Sequence, residues 1–91
     1  MWRSHRFNVD LSPKITAAGQ YRLRWVAEGG GEVAVENPQL LLDGVAQPNL
    51  LHQVPGSPDL LILTIPGIGQ KAIIAGRVRG AEQGTLLFHR L

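Results

Sequence analysis

Ninety-one residues make one domain with a single thin core, able to bury roughly 60–65% of the surface its unfolded chain would expose, and leave no room for a separate substrate domain. At 44% hydrophobic and 18% charged the composition lies outside that of disordered chains, and a net charge of +2 is too small to imply a nucleic-acid or membrane partner. With no cysteine, disulfides, thiolate metal sites and cysteine nucleophiles are excluded.

The first ten residues hold two arginines and no apolar run behind them, so no signal peptide is expected there. Leu60 to Ile65 is the longest apolar stretch and falls far short of a membrane span, so a soluble chain is predicted. From Arg6 the residues alternate, with Phe7, Val9 and Leu11 on one face and Asn8 and Asp10 on the other, the period of a half-buried strand. Ser12-Pro13 ends it, and Pro13 to Ala17 offers at most one helical turn. A second strand begins after Ala18, with Tyr21, Leu23, Trp25 and Ala27 in phase against Gln20, Arg22, Arg24 and Glu28, and with Val26 the apolar exception on the polar side.

Gly29-Gly30-Gly31 can turn this strand tightly back into Val33 and Val35 as a hairpin. Pro38 has no N–H to give a ladder, so "VAVE" and "QLLLDG" read as two strands, or as one strand broken at an edge or bulge. Asp43-Gly44 is the next turn, and the stretch from Val45 to Asp59, with three prolines, reads as one long loop. Leu60 to Ile65, apolar on both faces, predicts a central strand, followed by a turn at "PGIGQ". Lys71 to Gly80 is then a strand with Gly76 at a bulge or close approach, and "TLLFHRL" is the last. Seven or eight short strands separated by Gly and Pro turns, with no helical period, predict an all-β fold over residues 1–91: a single antiparallel β-sandwich of jelly-roll or immunoglobulin-like kind, with a small barrel as the alternative.

Residues that could carry chemistry are few. His5, His52 and His89 have no ligand-like spacing, and a zinc site would need them to converge in space. Glu28, Glu32 and Glu36 read as solvated charges near the glycine turn, and Asp43 as a cap on its own turn. No serine lies in a G-x-S-x-G, and the G-x-G of "GIGQ" precedes a strand, not a helix start, so neither a serine nucleophile nor a dinucleotide loop is supported. Arg22, Arg24, Arg77 and Arg79 would form a basic stripe only if their strands were neighbours, and four of the five aromatics fall on the core phase, which disfavours a single-strand nucleic-acid binder. For sugar contact Trp2 is the exposed aromatic candidate, while Trp25 is expected in the core.

The order of "FNVDLS", "GQYRLRW", "LLLDG", a loop with His52 and Gly56, "LLILTI", "KAIIAGRVRG" and "GTLLF" resembles the small β-sandwich module that follows the catalytic barrel in many bacterial α-L-fucosidases and some related glycoside hydrolases and sulfatases. Val9 to Ser12, Gly19 to Tyr21 and Leu41 to Gly44 carry the matching elements across nearly the whole chain. Gly56 lies four residues past His52 where the module has closer spacing, and "AEQG" replaces a Ser-Gly turn. That resemblance implies a non-catalytic accessory module with no cofactor or metal, since the family's catalytic groups lie in the barrel, and parent enzymes that are often periplasmic or secreted. The expected partners are a parent catalytic domain or a second copy, met through an apolar sheet face such as Val26, Leu41 and Leu61, with a carbohydrate contacted by Trp2, Asn49, His52 and Asp59. The alternatives are a free-standing β-sandwich that binds a ligand or protein through its loops and, behind it, a small-barrel nucleic-acid binder.

Overall fold

The computed structural model describes residues 4–80 and 84–91. Its strands are β1 (Ser4–Asp10), β2 (Gly19–Ala27), β3 (Ala34–Leu42), β4 (Val45–Ala46), β5 (Leu51–Gln53), β6 (Leu60–Ile65), β7 (Ala72–Arg79) and β8 (Gly84–Arg90), with short 3-10 turns at Ser12–Lys14 and Pro48–Leu50. They form two four-stranded antiparallel sheets, β1-β7-β3-β4 (sheet A) and β5-β6-β2-β8 (sheet B). The fold is an all-β sandwich. Alternation along each strand sends one set of side chains into the space between the sheets. Leu23, Leu61 and Leu63 from sheet B meet Leu40 and Ile74 from sheet A there, all essentially without exposure. Each such side chain contributes about 1.5–3 kcal/mol through burial.

One end of this core is closed by Tyr21, which is buried and whose hydroxyl donates a 2.7 Å hydrogen bond to the Ala17 carbonyl four residues upstream. A tyrosine near the start of a strand, bonded back to the preceding corner, is a recurrent fastening of β-sandwiches. Phe88 of β8 stacks on its ring at 4.8 Å.

Two sequence expectations change. The three glycines after Ala27 do not make a hairpin: β2 belongs to sheet B and β3 to sheet A, so the chain arches from one sheet to the other. A flexible glycine run permits either path, and burying the apolar faces of both β2 and β3 is what selects the arch. "PGIGQ" likewise links β6 of sheet B to β7 of sheet A. The long loop is also more ordered than its prolines suggest, because it contains β4 at the edge of sheet A, a 3-10 turn, and β5 at the edge of sheet B. Strands of two and three residues are too short to show any period.

The break, interior strand and close approach expected at Pro38, Leu60 to Ile65 and Gly76 are present. "VAVE" and "QLLLDG" are one strand with a register shift between Glu36 and Gln39, where Pro38 escapes the ladder and Asn37 adopts φ +50°. That strand is interior, paired by β7 and β4. β6 is interior too, as its two apolar faces predict. Gly76 is a close approach, with the bulge on the neighbouring strand instead.

Candidate functional site

Asp43 and Gly44, at φ +50° and +83°, make the two-residue turn that joins Leu42 to Val45. The Asp43 carboxylate does not cap that turn. It accepts a 2.9 Å hydrogen bond from the Lys71 N–H, while the Asp43 N–H donates to the Lys71 carbonyl at 2.9 Å. On the other side of β7 the Leu11 N–H donates to the Ala72 carbonyl and the Ser12 hydroxyl oxygen accepts from the Ala72 N–H, both at 2.8 Å. The Asp10 carboxylate accepts the Ser12 N–H at 2.9 Å. Hydrogen bonding from the Ser12 hydroxyl and then from the Ser12 N–H holds that carboxyl below its ordinary 3.8 against an opposing effect of desolvation, and the Lys71 charge adds the smallest pull in the lowering direction. "VDLS" and "LLLDG" thus clamp the start of β7 from its two flanks.

Among the expected glycan contacts, Trp2 lies outside the described residues. Asn49 is exposed on the 3-10 turn, and His52 is exposed on β5. Asp59 is engaged: its carboxylate lies 3.6 Å from the Arg24 Nε, and its carbonyl accepts the Trp25 N–H at 3.1 Å. The segment around it is pinned further by a 2.8 Å bond from the Val35 N–H to the Pro58 carbonyl and by the Gln53 amide, which donates to the Val35 and Pro58 carbonyls. Trp25 packs edge-on to Phe7 at 5.3 Å, and its indole nitrogen is buried without a partner among the described residues, so its ring is not a sugar platform.

Val26, Leu41 and Leu61 do not form one face. Val26 is 41% exposed on the outside of sheet B, Leu41 is half-buried on the outside of sheet A, and Leu61 is 0% exposed in the core. Leu61 follows the inward phase of β6 with Leu63 and Ile65, a phase that an all-apolar strand does not reveal.

What sheet B does present outward is a mixed apolar and basic surface. Register sets Leu60 and Leu87 on either side of Arg24, Ile62 and His89 on either side of Arg22, and Thr85 opposite Val26. Leu87, at 39% exposure, and Val26 are its exposed apolar members, with Leu60 and Ile62 half-buried. Neither β6 nor β8 alternates strictly in sequence, so only the pairing shows that Leu87, Leu60 and Ile62 join Val26.

The same register separates the histidines. His52 on β5 and His89 on β8 lie three strand spacings apart, roughly 14 Å, too far to share an ion, and His5 is on sheet A. No group of three or more metal-ligating side chains gathers among the described residues. Nor do the arginines form a stripe, since Arg22 and Arg24 are on sheet B while Arg77 and Arg79 are on sheet A. Compared with known families, curated proteins and solved structures, the chain matches none.

Proposed function

We propose that this chain is a non-catalytic accessory β-sandwich of a carbohydrate-active enzyme, similar to the module of α-L-fucosidases, and that it works by packing the outer face of sheet B on a neighbouring catalytic domain. The observation that carries the packing role is the joint exposure of Val26 and Leu87 on one sheet face, with Leu60 and Ile62 beside them. Removing such apolar area from water contributes about 25 cal/mol per Å², and the arginines at its centre favour a partner surface with carboxylates. The positions of the "VDLS" and "LLLDG" residues, which brace a strand, suit an accessory role. Exposed Asn49 and His52 offer weak glycan contacts at the edge of the same sheet.

Sedimentation velocity on the chain and on a Val26→Asp, Leu87→Asp variant, together with a glycan-array screen, tests this reading. Self-association of the wild type that the variant loses, with its circular dichroism unchanged, supports the packing face. A specific glycan signal lost in His52→Ala supports the sugar contact. A wild-type chain that remains monomeric at high concentration and binds no glycan overturns the proposal and favours a free-standing module acting through its loops.

A further inference from the structure

Sheet A carries a second arrangement, on the opposite side of the molecule from the proposed packing face. Register places Arg6 of β1 directly opposite Arg77 of β7. Like charges so placed repel and destabilise a sheet. Glu36 faces Arg77 from β3, yet its carboxylate lies 3.8 Å from the Nε of Arg79. Among the described residues no ion pair engages Arg6 or Arg77.

Beside this pair the backbone opens a depression of about 430 Å³, lined by Arg6, Asn8, Asn37, Ala75 and Arg77 with Phe7 and Gly76. Its shape follows from the sequence. The bulge takes Asn37 and Pro38 out of the β3–β7 ladder, and Ala75, between Asn8 and Gln39 in register, puts only a methyl group where a larger residue would fill the space. Two guanidinium groups and two amides therefore border one hollow. Guanidinium presents paired N–H donors that match the oxygens of a carboxylate, sulfate or phosphate, and an anion between two arginines turns their repulsion into attraction.

The geometry points to an oxyanion-binding site at Arg6 and Arg77, with Asn8 and Asn37 contacting the polar groups next to the charge of a small acidic ligand. Two arginines on neighbouring strands set the place of the charge, and the bulge sets the room beside it.

The test is a titration of the ¹⁵N-labelled chain with sodium sulfate, against sodium chloride at matched ionic strength, followed by amide shifts. Saturable shifts are expected at Arg6 to Asn8 and Ala75 to Arg77 with sulfate alone. Arg6→Gln and Arg77→Gln should each weaken sulfate about tenfold or more, while Arg24→Gln, on the other sheet, leaves it unchanged. Without sulfate, Arg77→Gln should melt at or above the wild-type temperature, because it removes a repulsion, and sulfate should raise the melting temperature of the wild type and of Arg24→Gln by more than the general stabilisation it gives Arg77→Gln. Parallel titrations with glucuronate, glucose and inorganic phosphate separate the sources. Glucuronate binding tighter than sulfate, with glucose inert, indicates a sugar acid, and preference for phosphate or sulfate indicates a phosphorylated or sulfated ligand. Shifts that do not saturate, that chloride reproduces, or that survive both arginine substitutions overturn the proposal.

Discussion

Phe7 stands directly across the β1–β7 ladder from Gly76, and a Cβ on that glycine would come within 3.1 Å of the phenyl ring and, on the other flank, within 3.1 Å of the Glu36 carbonyl oxygen. The two neighbours belong to β1 and β3, so β7 cannot move away from one without pressing on the other. Gly76→Ala is expected to destabilise the fold by about 1–3 kcal/mol, the usual cost of overpacking. Urea denaturation measures it, and Phe7→Leu in the same chain should return part of the loss. An alanine variant as stable as the wild type would show that one of these strands yields freely.

Tyr21→Phe removes one hydroxyl and retains the ring that stacks on Phe88. The hydrogen bond to Ala17 is lost at a partly buried site, at an expected cost of about 1–2 kcal/mol. Thermal unfolding should shift down by several degrees, roughly 4–8 °C per kcal/mol for a domain of this size. Equal melting temperatures would mean that the corner holds itself without the tyrosine.

Asp10 is expected to titrate below 3.8 in the folded chain. A carboxyl depressed by folding stabilises the native state at pH values above its unfolded value, and that contribution disappears as acid protonates it through the folded value. Asp10→Asn should therefore be less stable than the wild type near neutral pH, with the gap closing under acid below 3.8. Denaturation midpoints across pH 2 to 7, read beside an NMR titration of the Asp10 carboxyl, check both the sign and the window. A gap that persists unchanged at the acid end would contradict the Ser12 hydrogen bonds as its cause.

Local chemistry made most strands readable, and pairing made the rest. Alternation places Tyr21, Leu23 and Ala27 inside with no knowledge of the partner strand, and all three are buried. Pro38 announces the break in β3 because it lacks an N–H wherever it sits. Leu61 could not be assigned that way: with Leu60 and Ile62 equally apolar, only the pairing of β6 with β2 decides which set faces the core. The Val45 to Asp59 segment hides its strands for a related reason, since its prolines signal turns while β4 and β5 are created by pairing with β3 and β6. Arg6 and Arg77 are far apart in sequence, so nothing along the chain reveals that they are neighbours.

The arches between sheets govern when this chain can fold. Ser4 pairs with Arg79 and Ala27 with Gly84, whereas among the described residues the only strands joined to their sequence neighbours in one sheet are the minimal β3–β4 and β5–β6 pairs. Closing distant ladders requires much loop entropy to be lost before contacts reward it, which places such topologies among slow folders, on the order of milliseconds to seconds. On a ribosome, β1 would remain single until β7 has emerged, and β2 would lack one flank until β8 follows. Until β7 and β8 have emerged the nascent polypeptide thus exposes unpaired strand edges, and it depends on rapid closure once these partners are made, or on a chaperone's shelter, to avoid pairing with another chain.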